Sequence, residues 1–210
     1  GWESEAGAGF AARHGYTWAS QAIQRRQHLD ACPDGWRDEL ARHTAGAAAD
    51  YELIELAGPI PDDLLAPMVT LWSAINDAPT DDLDVEDEVF DADRIRGYEG
   101  AQAAAGIRLH HVIARHRGSG ELAGHTIVGV EEERPQRAHQ HDTSVATTHR
   151  GHRLGYVLKA RMMDRLLREE PQVGTVDTWN AESNDHMIAV NEALGYRAVG
   201  RSISYKKTLA

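Results

Sequence analysis

The sequence has a single cysteine, Cys32, so no disulfide can close within the chain. It has no apolar run approaching the roughly 18 residues that a membrane-spanning helix needs, which sets aside insertion in a bilayer. Bases are in the minority, with 22 Lys and Arg against 33 Asp and Glu and a formal net charge of −11. That balance argues against general binding to nucleic acid, whose phosphates call for clustered cations. It suits a small cationic or amine-bearing substrate better. No secretory signal stands at the start, so a cytoplasmic location is expected. No Met precedes Gly1-Trp2-Glu3, as expected for a fragment of a longer protein.

What is present fits a globular protein: 41% apolar and 26% charged residues over 210 positions. A domain of about 150 residues buries roughly 70% of its unfolded surface, so a core forms without staples. Charge is unevenly spread. Residues 77–93 are dominated by Asp and Glu, as in a solvated surface loop, whereas 149–168 is rich in Arg.

The local patterns predict alternating elements. A short Ala-rich helix over 5–14 stops at Gly15 and leads into a strand over 16–29. Pro33-Asp34-Gly35 is turn chemistry, followed by a helix over 36–49. Tyr51 to Leu56 alternates as a strand, and Pro61-Asp62-Asp63 opens a helix to about residue 74. A helix over 94–105 precedes two strands, 109–115 and 123–130, joined at Gly118-Ser119-Gly120. A further strand is expected near 139–146. Leu154, Val157, Leu158, Met162, Leu166 and Leu167 give a helical period that Pro171 closes. A strand over 174–180, a helix over 184–194 stopped by Gly195, and a strand over 198–206 complete a mixed α/β sheet domain.

The segment Val145-Ala146-Thr147-Thr148-His149-Arg150-Gly151-His152-Arg153-Leu154-Gly155 lies between a predicted strand and a predicted helix. A helix start leaves N–H groups unpaired, and the helix dipole favours an anion there. Arg150 and Arg153 add forked cationic donors, and Gly151 and Gly155 permit close backbone approach. The spacing matches neither a P-loop nor a dinucleotide fingerprint. Taken alone, it reads equally as an ordinary helix start with surface arginines.

This segment resembles the pyrophosphate loop of the GNAT acetyltransferase superfamily, whose usual pattern is Gln or Arg, x, x, Gly, x, Gly or Ala. Arg150, Leu154 and Gly155 match in place, Val145 stands as the strand residue, and Arg153 replaces the middle glycine. A second similarity follows in Thr178-Trp179-Asn180-Ala181-Glu182-Ser183-Asn184 and in the helix ending Ala193-Leu194-Gly195-Tyr196. The resemblance covers about residues 51–207. It implies a GNAT-like, mostly antiparallel central sheet flanked by helices, with acetyl-CoA as co-substrate and a small amine as acceptor. It also implies a cofactor site at Val145, Ala146, Thr147, Arg150, Gly151, His152, Arg153, Leu154, Gly155, Tyr156 and Asn184.

The implied reaction is direct attack of the amine on the thioester, which needs a base and in some enzymes an acid. Many family members place a Tyr acid where this chain has Asn191, which cannot deliver a proton. Tyr156 or a water then substitutes, or the thiolate leaves unassisted. Some members place a Glu base where this chain has His139, and His141 and Asp142 on the same strand compete for the role. Exposed polar positions in a chain with 12 histidines are the plainer reading of these imidazoles. A zinc site at His139 and His141 lacks further ligands. Trp72 and Trp179 fit either the core or an acceptor pocket. Two other functional classes stay open: an acyl-CoA-binding regulatory module without turnover, and a nucleotide-binding protein.

An internal match at an offset of 180 residues pairs Gly15-Tyr16 with Gly195-Tyr196, Ile23 with Ile203 and Leu29 with Leu209. Residues 1–30 then read as the helix and strand of a preceding repeat, 31–49 as a helical linker and 50–210 as the complete domain. Coincidence of strand composition gives the same few matches. The leading strand is expected to pack on a sheet edge of its own or a neighbouring domain.

Overall fold

The computed structural model describes residues 4–73 and 88–208, so most of the acidic stretch lies outside the described residues. Helix α1 (Glu5–Arg13) leads to β1 (Thr17–His28), then α2 (Trp36–Ala45), β2 (Tyr51–Ala57), α3 (Asp62–Trp72) and α4 (Ala92–Ala104). The hairpin β3 (Ile107–His116) and β4 (Leu122–Glu131) is followed by β5 (Arg137–Val145), α5 (Leu154–Glu169), β6 (Thr175–Ala181), α6 (Asp185–Ala193) and β7 (Arg197–Lys206). The elements follow the sequence patterns closely. Helix α2 stops four residues early, because Gly46 takes the C-cap and its N–H bonds back to the Arg42 and His43 carbonyls.

One seven-stranded sheet runs β2-β3-β4-β5-β6-β1-β7. Every neighbouring pair is antiparallel except β5 and β6. Strand alternation sends Val112, Ala114, Val128, Val130 and Val176 to one face, where Leu154, Val157, Leu158 and Met162 of α5 cover them together with α2 and α6. Leu109, Ile113 and Ile127 point to the other face, under Met68, Leu71 and Trp72 of α3 and Ile95 of α4. Both faces are therefore buried, and the core is two apolar layers split by the sheet.

The leading strand does not sit at an edge, as the sequence led us to expect. Strand β1 is inserted between β6 and β7 and bonds to both. Arg26 fixes the β6 side by forking onto Asp177 at 2.6 and 2.7 Å. The β1–β7 ribbon has a local two-fold relation built on the 180-residue offset. Ala22 pairs with Ser202, its own counterpart, and Trp18↔Tyr205 maps onto Arg25↔Ala198. Ser20↔Ser204 maps onto Gln24↔Gly200, and the two register shifts skip Ala19 and Val199, which are also counterparts. The two matching segments thus pair with each other residue for residue about one axis.

Strand β7 has no partner but β1 among the described residues. A chain beginning at Leu29 is expected to lose its sharp thermal transition, measured by circular dichroism. A cooperative melt within a few degrees of the intact chain would show instead that β7 can close onto β6 unaided.

Candidate active site

The site begins where the only parallel pair among the described residues comes apart. Strands β5 and β6 are bonded from Arg137, Ala138 and His139 to Thr175, Val176 and Asp177, and no further. Beyond that point β5 continues to Val145 and β6 to Ala181, leaving backbone groups on the facing edges unpaired between them. A cleft with two unsatisfied strand edges accepts an extended, amide-bearing chain.

The loop that follows β5 closes one end of this cleft. Val145 pairs with Gly124, Ala146 N–H donates to the Ala123 carbonyl at 2.9 Å, and a single 3-10 turn spans Thr147–His149. His149 Nδ1 lies 3.0 Å from the Tyr51 hydroxyl, and His152 Nδ1 donates to the Ala47 carbonyl at 3.2 Å, so both imidazoles pin the loop to its surroundings. Gly151 has φ of 89° and Arg153 a φ of 58°, the one non-glycine residue in the left-handed region among those described. Arg153 thus holds a backbone shape that glycine adopts freely, at a steric cost of roughly 1–2 kcal/mol. Leu154 and Gly155 are buried, with Gly155 lying under Val190 of α6. The first bond of α5 runs from Val157 N–H to the Arg153 carbonyl at 3.1 Å, and no side chain caps the start. The N–H groups of Leu154, Gly155 and Tyr156 are left outside the helical ladder, beside Arg150 and Arg153, an arrangement that favours an anion.

On the α3–α4 side of the sheet, the cleft is bordered by imidazoles. His139, the last paired residue of β5, stacks on Trp179 with ring centroids 6.0 Å apart, and its Nε2 is 3.1 Å from Glu131 Oε1. His141 Nδ1 bonds the Tyr98 hydroxyl at 2.7 Å, and its Nε2 lies over Gly129, where a Cβ would stand 2.5 Å away. Desolvation, helped by the nearby His139, holds His141 below the ordinary imidazole range against the pull of Asp142. Asp142 Oδ2 is 3.1 Å from Nε2 of the fully buried His125. Trp72 is core, stacked on His125 and edge-on to Tyr98, whereas Trp179 is 42% exposed.

Three residues chosen from the sequence are tied into the fold by their side chains. Tyr156 turns its ring to His43 on α2, and its hydroxyl donates at 3.5 Å to the Trp36 carbonyl. Its side chain offers no proton to the cleft; its backbone N–H is what reaches the loop. Asn184 is the N-cap of α6, its Oδ1 accepting from Met187 N–H at 3.2 Å, so only its Nδ2 is left to meet a ligand. Asn191 is fully buried and donates to Asn180 Oδ1 at 2.6 Å.

Other groups were passed over in the sequence. Glu131, Tyr98 and His125 reach the imidazole cluster only through the pleat of β4 and the packing of α4. Arg25 and Lys159 are 5% and 3% exposed, on β1 and α5. Strand alternation from Ile23 to Gln27 marks Arg25 as inward, and the period of α5 places Lys159 one turn before Met163. Burial pushes Lys159 down to about 7 from 10.5, with Asp142 opposing.

Two outcomes follow from these placements. Replacing Arg153 with Gly relieves the left-handed strain while loosening the unfolded chain. The net gain in stability is expected to be at most about 1 kcal/mol, read by urea denaturation. The charged form of Lys159 is disfavoured in the folded state, so its penalty is complete below pH 7 and fades as pH rises toward 10.5. Lys159→Met is therefore expected to melt higher than the parent at pH 6, with the gap narrowing by pH 9. A gap that is constant with pH would mean that Lys159 is not desolvated.

No model of a known protein family matches the sequence, and no curated protein does. Solved structures do. A tandem GNAT protein from the clavulanic acid biosynthesis pathway is 30% identical over 97% of this chain and 58% of its own, with a TM-score of 0.73. A GCN5-related N-acetyltransferase from Sphaerobacter thermophilus is 13% identical over 97% of this chain and 56% of its own, TM-score 0.68. Another, from Kribbella flavida, is 13% identical over 94% and 62%, TM-score 0.52. The last two share the fold alone, and the chain spans little more than half the length of all three. With the sheet parting above an Arg150 to Gly155 loop, and with the sequence likeness to the first of these proteins, the chain belongs to the GNAT superfamily.

Proposed function

We propose that this domain transfers an acetyl group from acetyl-CoA to a small amine by direct attack, with His139 as the base. The observation that carries the reading is the parting of β5 from β6 directly ahead of an uncapped, arginine-flanked helix start. The diphosphate of the cofactor rests on the N–H groups of Leu154, Gly155 and Tyr156, with Arg150 and Arg153 as counter-charges. Its amide-bearing arm pairs with the free edge of β5 toward Val145, Ala146 and Thr147, with Gly151 and His152 shaping the turn above it. The Asn184 amide flanks the arm from the start of α6.

The acceptor enters from the α3–α4 side, over the exposed ring of Trp179. His139 lies at the apex of the cleft, and Glu131 holds its Nε2, so that Nδ1 is the atom left to take the amine proton. His141 is less suited, because its Nδ1 is bonded to the Tyr98 hydroxyl. Asp142 is paired with His125. We further infer that residues 4–28 are the closing helix and strand of a preceding GNAT copy. The two-fold register of β1 with β7 and the likeness to a tandem GNAT protein support this. A module that binds acetyl-CoA without turnover is the competing reading, favoured by the amide at Asn191 where an acid is usual.

Saturating acetyl-CoA at about 100 times its Kd should stabilise the fold by about 2.7 kcal/mol, seen as a raised Tm. Arg150→Ala and Arg153→Ala should each shrink that shift. With an amine that is turned over, His139→Ala should lower kcat by about 100-fold or more while leaving the acetyl-CoA shift intact. No shift with acetyl-CoA would refute the cofactor assignment, and binding without CoA release across a broad amine panel would favour the silent module.

A further inference from the structure

The match at an offset of 180 residues extends from the sequence into the hydrogen bonds. Helices α1 (Glu5–Arg13) and α6 (Asp185–Ala193) span equivalent residues. Ser4 caps α1 by accepting from Gly7 N–H at 3.0 Å, and its equivalent Asn184 caps α6 by accepting from Met187 N–H at 3.2 Å. Each helix is followed by a left-handed glycine, Gly15 or Gly195, and a tyrosine closes the turn. Tyr16 N–H donates to the Ala11 carbonyl at 2.9 Å, and Tyr196 N–H to the Asn191 carbonyl at 3.0 Å. The two strands then reach across to each other's helix. Gln27 Nε2 of β1 donates to the Leu194 carbonyl at the end of α6, and Lys207 Nζ, just past β7, donates to the His14 carbonyl at the end of α1. Residues 27 and 207 are equivalent, as are 14 and 194, so one bond is made twice with the two halves exchanged.

Burial breaks the equivalence. Val190 is buried and lies against Gly155 of α5, whereas its equivalent Phe10 is 61% exposed. Tyr196 is buried and Tyr16 exposed. Strand β1 buries Ala19, Ile23, Arg25 and Gln27, while Val199, Ile203, Tyr205 and Lys207 at the same places of β7 are half-buried or exposed. The difference has one source: α6 has α5 beneath it and β1 has β6 beside it, both from this domain. Among the described residues no second helix and strand of that kind serve α1 and β7. Apolar groups exposed at positions that are core in an equivalent unit mark a surface made to be covered.

We propose that α1 and β7 together dock on a preceding domain of GNAT fold by reciprocal exchange of terminal strands, which rests on reading residues 4–28 as the end of a preceding copy. Strand β7 lies in the sheet of that domain, antiparallel to the equivalent of β6, as β1 lies here against β6. Helix α1 covers the equivalent of α5, with Phe10 in the place of Val190. The order across the join is β5, β6, β1, β7 and then the equivalents of β6 and β5, one sheet with the β1–β7 two-fold at its centre. A second copy of this chain does not fit, because its β6 already has β5 on one side and its own β1 on the other. Each domain thus has one wall of its cleft held by the other: β6 by β1 here, and the equivalent of β6 by β7 there.

The test compares the 210-residue chain with the full-length protein extended through the preceding domain. Phe10→Ser and Val199→Asp change groups that are exposed in the shorter chain. Each is expected to leave the Tm of that chain within about 2 °C of its parent and to lower the Tm of the full-length protein by about 5 °C or more. Hydrogen exchange gives a second readout: the amides of β7 that do not bond to β1 should exchange at least about tenfold more slowly in the full-length protein. Equal effects of the substitutions in the two proteins, large or small, overturn the proposal, as does unchanged exchange along β7. A 210-residue chain that forms a stable dimer, lost on Val199→Asp, gives the surface to a second copy and overturns it as well. A full-length protein with no GNAT fold ahead of this domain rejects the repeat reading itself and leaves the acetyl-CoA assignment standing.

Discussion

Strand β1 is the constraint on which the far half of the sheet depends. Strand β6 meets β5 over only three residue pairs, and β7 meets no other described strand, so the backbone groups of both are satisfied through β1. The Arg26–Asp177 fork and the Gln27 bonds to Met163 and Leu194 fix its depth and register. Because β6 is held from its other side, it can part from β5 without loss of order. The cleft therefore exists because a strand from the opposite end of the chain carries the load that β5 gives up.

The same economy shapes the loop. A backbone that turns sharply after β5 and presents N–H groups at the start of α5 needs left-handed residues, and two are used, Gly151 and Arg153. An arginine in that conformation strains the apo fold, and strain of this size persists where function keeps it. The side chain adds a full charge beside the uncapped helix start that a glycine would lack. His149 and His152 hold the turn from either side by bonds to Tyr51 and Ala47, so the loop is set before any ligand arrives.

The fold was legible because each local signal agreed with its element. Gly15 and Gly195 end their helices with φ of 71° and 87°, and the period from Leu154 to Leu166 buries the residues it marks. The turn from β5 into α5 was equally legible, since contiguous residues build it. What escaped was set by pairings between distant segments. Nothing local places β1 inside the sheet and not at its edge, because an edge strand and an interior strand alternate alike. Glu131 meets His139 across a hairpin turn, and Tyr98 meets His141 from a helix. Tyr156 misled because adjacency to a loop does not fix the direction of a helical side chain.

Across the cleft, the two faces of the sheet carry opposite chemistry. His139, His141, Glu131 and Asp142 lie on the α3–α4 face, where a proton can be accepted. Arg25 and Lys159 lie behind the α5–α6 face, where negative charge can be taken up. On the proposed reading, a thioester held between β5 and β6 meets its amine on the first side. Glu131 and Asp142 are engaged by His139 and His125 on the first face, yet the field of Asp142 still reaches Lys159 across the sheet.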